Sequence, residues 1–102
     1  MTTPIITEVS FDFDSSNSKW DNTPEYNRMF LNSQEHYAND LLIVNGFVTL
    51  NEVLDMLGIT RTIEGINSGW VKSHGRINFR IAEDEDKLVL TFYVQENISD
   101  SI

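Results

Sequence analysis

The sequence contains no cysteine, which excludes disulfide bonds and thiolate metal sites and makes a reducing compartment the expected setting. Only seven lysines and arginines stand against sixteen aspartates and glutamates, so the formal net charge is −9. This balance disfavours direct binding to a phosphate backbone, which depends on Lys and Arg to replace counterions. Long apolar runs are also missing, since the longest, 41–44, falls far short of the about 18 residues that a membrane helix needs. We therefore expect a cytoplasmic protein that contacts neither a membrane nor nucleic acid directly.

Patterns that carry catalysis are scarce as well. No G-x-S-x-G elbow is present, and the two histidines, His36 and His74, lack the spacing of metal ligands. The segment from Asp12 onward departs from a calcium loop, because Asn17 stands where the loop needs glycine and Thr23 where it needs glutamate. We expect no enzyme activity, no metal site and no cofactor.

What the sequence does contain is enough for one folded domain. The chain has 102 residues, of which 40% are hydrophobic, and this apolar content supports a core. We expect a single domain over 1–102 that is built from an extended segment at 1–22, a helical part at 23–67 and a strand part at 69–95.

Two helices are predicted in the helical part. Thr23, followed by proline, marks the start of a long helix that ends before Gly46. Thr49 and Glu52 form a capping box that starts a short second helix, which ends at Gly58. In the long helix the apolar residues at helical spacing, expected to be buried, are Tyr26, Phe30, Tyr37, Leu41 and Val44. The residues expected on its polar face are Asn27, Arg28, Asn32, Gln34, Glu35 and Asn39.

Alternating apolar and polar residues predict strands before and after the helices. The segment 9–13 alternates, which indicates a short strand or an extended arm packed on the body. The segments 77–81 and 88–94 alternate in the same way, and the acidic turn 83–86 between them predicts a hairpin. Residues 70–72 are a candidate third strand. The fold class is therefore α+β, with a long N-terminal helix and a short second helix packed on a small antiparallel sheet of about three strands.

Several ordered blocks of the sequence resemble a known family. The blocks are PEYNRMFL at 24–31, YANDLL at 37–42, LNEVLDMLG at 50–58, RT at 61–62 and GWV at 69–71. In these blocks the chain resembles the C-terminal part of a domain family of unknown function found in phages and prophages of Firmicutes. The resemblance implies a phage origin and a location in the cytoplasm of a bacterial host cell. It implies no chemistry, because that family has no assigned activity.

Acidic residues are the leading candidates for a partner-binding surface. They are Asp12, Asp14, Glu83, Asp84, Glu85 and Asp86. Carboxylates on a rigid body pair with Lys and Arg through charge-assisted hydrogen bonds, and guide-RNA nucleases line their nucleic-acid and PAM-binding grooves with such residues. We therefore hypothesise a small acidic phage-derived inhibitor of a host defence nuclease, of the anti-CRISPR kind, which acts as a nucleic-acid mimic in a basic groove of a CRISPR effector nuclease.

Two aromatic residues are further candidates for partner contacts. Trp70 is a candidate because Trp is enriched at binding hot spots, although core packing explains it as well. Tyr93 lies on the strand face that a one-sided sheet leaves exposed.

Other interpretations of the sequence stay open. The main alternative is a phage structural or assembly component that acts through protein–protein contacts. A regulatory nucleic-acid binder would use the basic residues of the second half, and the net charge opposes it. These residues are Arg61, Lys72, Arg76 and Arg80. An ordinary solvated surface also accounts for the acidic residues.

Overall fold

A computed structural model describes residues 3–102 and gives an α+β architecture, as the sequence predicts. The helices and strands are β1 (Ile6–Phe13), α1 (Pro24–Asn45), β2 (Phe47–Thr49), α2 (Leu50–Leu57), β3 (Gly69–Val71), β4 (Arg80–Asp84) and β5 (Lys87–Gln95). Two parts of the prediction were wrong. The antiparallel sheet has five strands rather than about three, and the long helix is not N-terminal, because β1 precedes it.

Strand β5 lies at the centre of the sheet. It pairs with β1 over the full length of β1, with Ile6 opposite Gln95 and Phe13 opposite Leu88. On its other edge β5 pairs with β4 and, at Gly69, with β3, which in turn pairs with β2. The strand order is therefore β1-β5-β3-β2, with β4 attached to β5. This arrangement brings the first strand of the chain against the last.

The prediction left out strand β2 and left β1 open as a strand or an arm, and the reasons differ. Strand β2 is only three residues long and lies between two helices, so it is too short to show an alternating pattern. It forms because β3 lies close beside it: a Cβ atom on Gly69 would lie 2.1 Å from the Val48 carbonyl oxygen, so only glycine fits there. Strand β1, predicted as a strand or an arm, is fully paired.

The buried face of α1 differs from the predicted face. Its buried residues are Asn27, Leu31, Ala38 and Leu42. Tyr26, Tyr37 and Val44, which the prediction buried, are exposed. The prediction was wrong because it followed the largest apolar side chains and counted Asn27 as solvated. Asn27 is 1% exposed, and both ends of its amide bond the Asp21 backbone, donating to the carbonyl at 2.7 Å and accepting from the N–H at 2.8 Å.

The helix boundaries and the capping box follow the sequence signals. Thr49 Oγ1 accepts a hydrogen bond from the Glu52 N–H, and the Glu52 carboxylate accepts one from the Thr49 N–H, both at 3.2 Å. Gly46 and Gly58 end the two helices in the left-handed conformation, with φ of 85° and 72°. No helix within the described residues combines the length and apolar character that crossing a bilayer requires.

The core lies between the helices and the inner face of the sheet, and aromatic residues join its parts. The fully buried Phe92 ring lies 5.1 Å from Phe79 and 6.0 Å from Trp70, measured between ring centroids. The Phe13 ring at the end of β1 stacks on Phe30 of α1 at 5.9 Å. These contacts fix the end of β1 against α1, and with it the surface described next.

Candidate functional site

One end of the sheet collects acidic residues from two places in the chain. The β4–β5 hairpin turns at Glu85 and Asp86, where Asp84 and Lys87 are the last paired residues. Because β1 runs antiparallel to β5, its C-terminal end reaches this same end of the sheet. We define the acidic end as Asp12, Asp14, Glu83, Asp84, Glu85 and Asp86. The structure thus places the six carboxylates that the sequence analysis singled out at one end of the sheet, with Asp12 and Asp84 on its outer face and Glu83 on its inner face, beside α1.

The hairpin turn contains an unusual backbone conformation. Glu85 has a φ of 54°, in the left-handed region that glycine, asparagine and aspartate adopt more readily. For a glutamate this conformation costs about 1 kcal/mol relative to glycine. Strain of this kind at a surface turn is more often retained where the side chain has a use.

Two cations pair with residues of the acidic end. Lys87 Nζ lies 3.1 Å from Asp12 Oδ2, and Arg28 Nη2 of α1 lies 2.9 Å from Glu83 Oε1. Six carboxylates with two cations leave the acidic end with a formal charge of −4. The remaining four carboxylates form no ion pair with any residue that the structure describes.

The electrostatics of the acidic end act on Lys87 directly. The pKa of its ammonium group lies above the usual range, first because Asp12 accepts its hydrogen bond and attracts its charge. The nearby carboxylates of Asp84 and Asp14 raise the pKa further. Lys87 therefore stays protonated and contributes a single positive charge to the acidic end.

Asp14 is held in place by the turn that follows β1. Its Oδ1 atom accepts hydrogen bonds from the Ser16 N–H at 2.9 Å and from the Ser16 hydroxyl. These bonds hold the pKa of the Asp14 carboxyl below its usual range. The same turn is fixed to α2, since Asn17 Nδ2 donates to the Leu57 carbonyl at 2.8 Å. Asp14 is consequently an ionised carboxylate in a defined position rather than on a free loop.

A depression of about 510 Å³ adjoins the acidic end, between α1 and the hairpin. Its walls include the carboxylates of Glu83 and Glu85, the apolar side chains of Trp20 and Leu88, and the cations of Arg28 and Lys87. Arg28 already pairs with Glu83 there, so Glu85 is the wall carboxylate open to the charged end of a partner's Lys or Arg, whose methylene groups pack on apolar surface.

The two aromatic candidates lie elsewhere. Trp70 is 8% exposed and packs edge-on against Phe92, so it belongs to the core and we leave it out of the binding surface. Tyr93 is exposed on the outer sheet face, where its hydroxyl accepts a hydrogen bond from Arg80 at 2.9 Å and donates one to Glu8 at 3.2 Å. Six residues of strand separate it from Lys87, which is roughly 20 Å.

The basic residues of the second half have no contact partner in common within the described part of the chain. Each contacts a different acceptor: Arg61 contacts Asp55, Lys72 the Ile43 carbonyl, Arg76 contacts Glu35, and Arg80 contacts Tyr93. The geometry therefore gives no support to a nucleic-acid-binding patch. Nor does any group of three or more His, Asp or Glu side chains in 3–102 have the arrangement of a metal site.

Sequence analysis missed one exposed surface altogether. Five large apolar residues of α1 lie open to solvent, namely Tyr26, Met29, Tyr37, Ile43 and Val44. They were missed because the prediction assigned the wrong face of α1 to the core. The signal that reveals them is the spacing of the smaller stripe Asn27, Leu31, Ala38 and Leu42, which repeats by four, seven and four residues along one helical face.

Comparison with known proteins places the chain in a family without assigning it an activity. No curated protein and no solved structure matches it. One family model matches residues 3–102, which include both helices, all five strands and the acidic end. The expected resemblance to a family of unknown function is in agreement with this match. The chain belongs to DUF6353, a family of unknown function.

Proposed function

We propose that the chain is a binding protein whose acidic end docks on a basic surface of a protein partner. More specifically, we propose that it is a phage-derived inhibitor of a host defence nuclease, which occupies a basic nucleic-acid or PAM-binding groove. The observation that carries the proposal is that six carboxylates, from β1, the turn after it and the β4–β5 hairpin, lie at one end of the sheet and are paired with only two cations.

Preorganisation of these carboxylates supports the proposal. The Asp14 carboxylate is held by Ser16, and the Asp12 carboxylate by Lys87. Glu85 and Asp86 lie on a turn of only two residues, and Glu83 and Asp84 are the last two residues of β4. A partner therefore meets charges that are already in position, which lowers the entropy that binding must overcome. Acidic surfaces also speed association with basic grooves by long-range attraction.

The test is cleavage of target DNA by a purified guide-RNA nuclease in the presence of the protein. We expect inhibition that weakens as salt rises, because screening acts on exposed charges. A triple variant of the hairpin, D84N/E85Q/D86N, should lose the inhibition. The matched control is D40N/E64Q/D100N, which removes three exposed acids elsewhere and should keep it. Equal behaviour of the two variants would contradict a role for the acidic end.

The alternative function is a phage structural or assembly component that acts through protein–protein contacts. The observation in its favour is the exposed apolar row on α1, in which Tyr26, Tyr37 and Val44 lie on one side of the helix. Light scattering over a range of protein concentrations tests it. Self-association that Tyr37→Glu abolishes would favour assembly, whereas a monomer at every concentration would leave the inhibitor proposal as the better one.

A further inference from the structure

We propose that the free edge of β1 binds an extended segment of another protein by strand addition, and that this segment carries basic side chains opposite Glu8 and Asp12. The proposal concerns a different surface from the β4–β5 hairpin and does not depend on the inhibitor function. Asp12 is the one residue that the two surfaces share.

The edge of β1 is open and regular. β1 stands at one end of the strand order and pairs with no described strand other than β5. Its eight residues, ITEVSFDF, keep an unbroken register from Ile6 to Phe13, without a bulge. Proteins usually protect such an edge with charged side chains, proline, a bulge or short length, and of these β1 has only the acids Glu8 and Asp12. An edge of this length is a template for a strand whose charges complement those two acids.

The hydrogen-bond pattern identifies which backbone groups face outward. The Glu96 N–H donates to the Ile5 carbonyl at 2.9 Å, and the register of β1 and β5 places these two residues opposite each other. Residues of an antiparallel ladder alternate between bonding inward and bonding outward. The odd-numbered residues of β1 therefore bond to β5, and the even-numbered ones direct their N–H and C=O groups to the free edge. These outward residues are Ile6, Glu8, Ser10 and Asp12.

The inner face of β1 leaves apolar surface for a partner strand to cover. Val9 and Phe11 are half-buried, whereas Phe92 and Leu90, which lie opposite them on β5, are fully buried. Burial thus falls off toward the edge. A strand added there would place its own apolar side chains, at every second position, beside Val9 and Phe11.

The outer face of β1 determines the charge of the partner. Glu8 and Asp12 both lie on this face, and in each carboxylate one oxygen is held by a side chain of β5. Tyr93 donates to Glu8 Oε1, and Lys87 to Asp12 Oδ2. The second oxygen of each accepts no hydrogen bond within the described residues. Basic side chains on an added strand, directly opposite these two positions, would therefore find oriented acceptors.

The same charges argue against a second copy of this chain as the occupant. Two antiparallel β1 strands would bring four carboxylates onto one face of the joined ribbon, with like charges opposite or diagonal to each other. Each copy also carries a net charge of −9. A basic segment is not repelled in either way, and we therefore propose a basic segment as the occupant.

The experiment uses the capped peptide KVTVKVT, whose two lysines fall opposite Asp12 and Glu8 and whose valines fall on the inner face. Amide hydrogen exchange is followed by NMR in the full chain. Before peptide is added, we expect fast exchange at Glu8, Ser10 and Asp12 and slow exchange at the odd-numbered residues between them. At saturating peptide the three fast amides should slow by about tenfold or more, as newly bonded amides do.

Two comparisons make the test specific. The acidic peptide EVTVEVT should bind at least about tenfold more weakly, because it opposes like charges across the ribbon. Ser10→Pro removes an outward N–H, which an edge strand tolerates, together with the hydroxyl contact to Thr91, and should weaken binding of KVTVKVT by about tenfold. Ser10→Ala keeps that N–H and loses only the hydroxyl contact with Thr91, so it should bind as the original chain does.

The outcomes separate this proposal from its rivals. The hairpin variant D84N/E85Q/D86N should still bind KVTVKVT, even if the inhibitor function fails. Unchanged exchange at the even-numbered amides, or equal protection by the two peptides, would overturn the proposal. Protection that rises with protein concentration in the absence of peptide would show that a second copy occupies the edge, and would overturn it as well.

Discussion

The Lys87 ammonium group lies 3.1 Å from the Asp12 carboxylate and so ties the β4–β5 hairpin to β1. It is also the one cation contributed by the hairpin itself to the acidic end. Lys87→Gln removes this charge and the hydrogen bond that holds Asp12, and it leaves the other five carboxylates of the acidic end unchanged. We expect a small loss of stability in urea unfolding, because exposed ion pairs contribute little. We expect tighter and more salt-dependent binding to a basic partner, measured by titration calorimetry at two salt concentrations. Weaker binding would contradict this expectation and would mean that the contacts of Lys87, with the partner or with Asp12, outweigh its charge.

The Ser16 hydroxyl controls the acidity of Asp14. Ser16→Ala deletes the first of the hydrogen bonds that lower the Asp14 pKa, while the backbone N–H of residue 16 remains. NMR titration of the carboxyl carbon should then give a higher pKa in the variant, closer to the usual value of about 3.9. An unchanged pKa would assign the shift to the backbone alone.

The lowered pKa of Asp14 also sets a direction for stability. Because the folded-state value lies below the unfolded one, the stabilisation is present above about pH 4 and is lost as the pH falls through the folded-state pKa. Unfolding experiments from pH 5 downward should therefore show a shallower acid dependence in Ser16→Ala than in the original chain. A steeper dependence would contradict this assignment.

Glycine in place of Glu85 should stabilise the hairpin. The residue has a φ of 54°, which glycine adopts freely, so Glu85→Gly should raise the free energy of unfolding by about 1 kcal/mol. Asp86→Gly is the matched control: Asp86 is not among the described residues with positive φ, so its replacement should be neutral or destabilising. Partner binding should weaken in both, since both lose a carboxylate. Stabilisation by Asp86→Gly but not by Glu85→Gly would refute the argument from backbone strain.

The buried amide of Asn27 fixes the start of α1 to the segment before it. Asn27→Ala leaves the N–H and the carbonyl of Asp21 without their partners, which should cost about 2 kcal/mol in denaturant unfolding. Asn32→Ala, at an exposed position of the same helix, should change stability by less than about 0.5 kcal/mol. Similar effects of the two changes would mean that Asn27 carries no special role.

Local signals predicted much of this fold, and pairing between distant segments explains what they missed. The capping box at Thr49 and the glycines at 46 and 58 act within a few residues, so their chemistry is visible in the sequence. Asn27 misled the prediction because its hydrogen bonds to Asp21 depend on a turn that no pattern indicates. Strand β2 escaped notice because β3, rather than its own sequence, makes it a strand.

The acidic end was predicted as a set of residues but not as a place. Each carboxylate could be named from its position beside a strand, whereas their convergence depends on β1 lying next to β5. Trp70 shows the opposite case, since a tryptophan in the sequence looks the same whether it packs on Phe92 or on a partner.

The pairing of the first strand with the last has a consequence for how the chain acquires its fold. Thr7 and Glu96, which are joined by a hydrogen bond, lie 89 positions apart in the sequence. Contacts between residues so far apart in the sequence form late in folding, because chain entropy must be lost before they form. On the ribosome α1 and α2 can form while β1 is still unpaired, because β5 has not yet been synthesised. A chain that still lacks β5 thus contains the acids of β1 but has neither the assembled acidic end nor a paired β1.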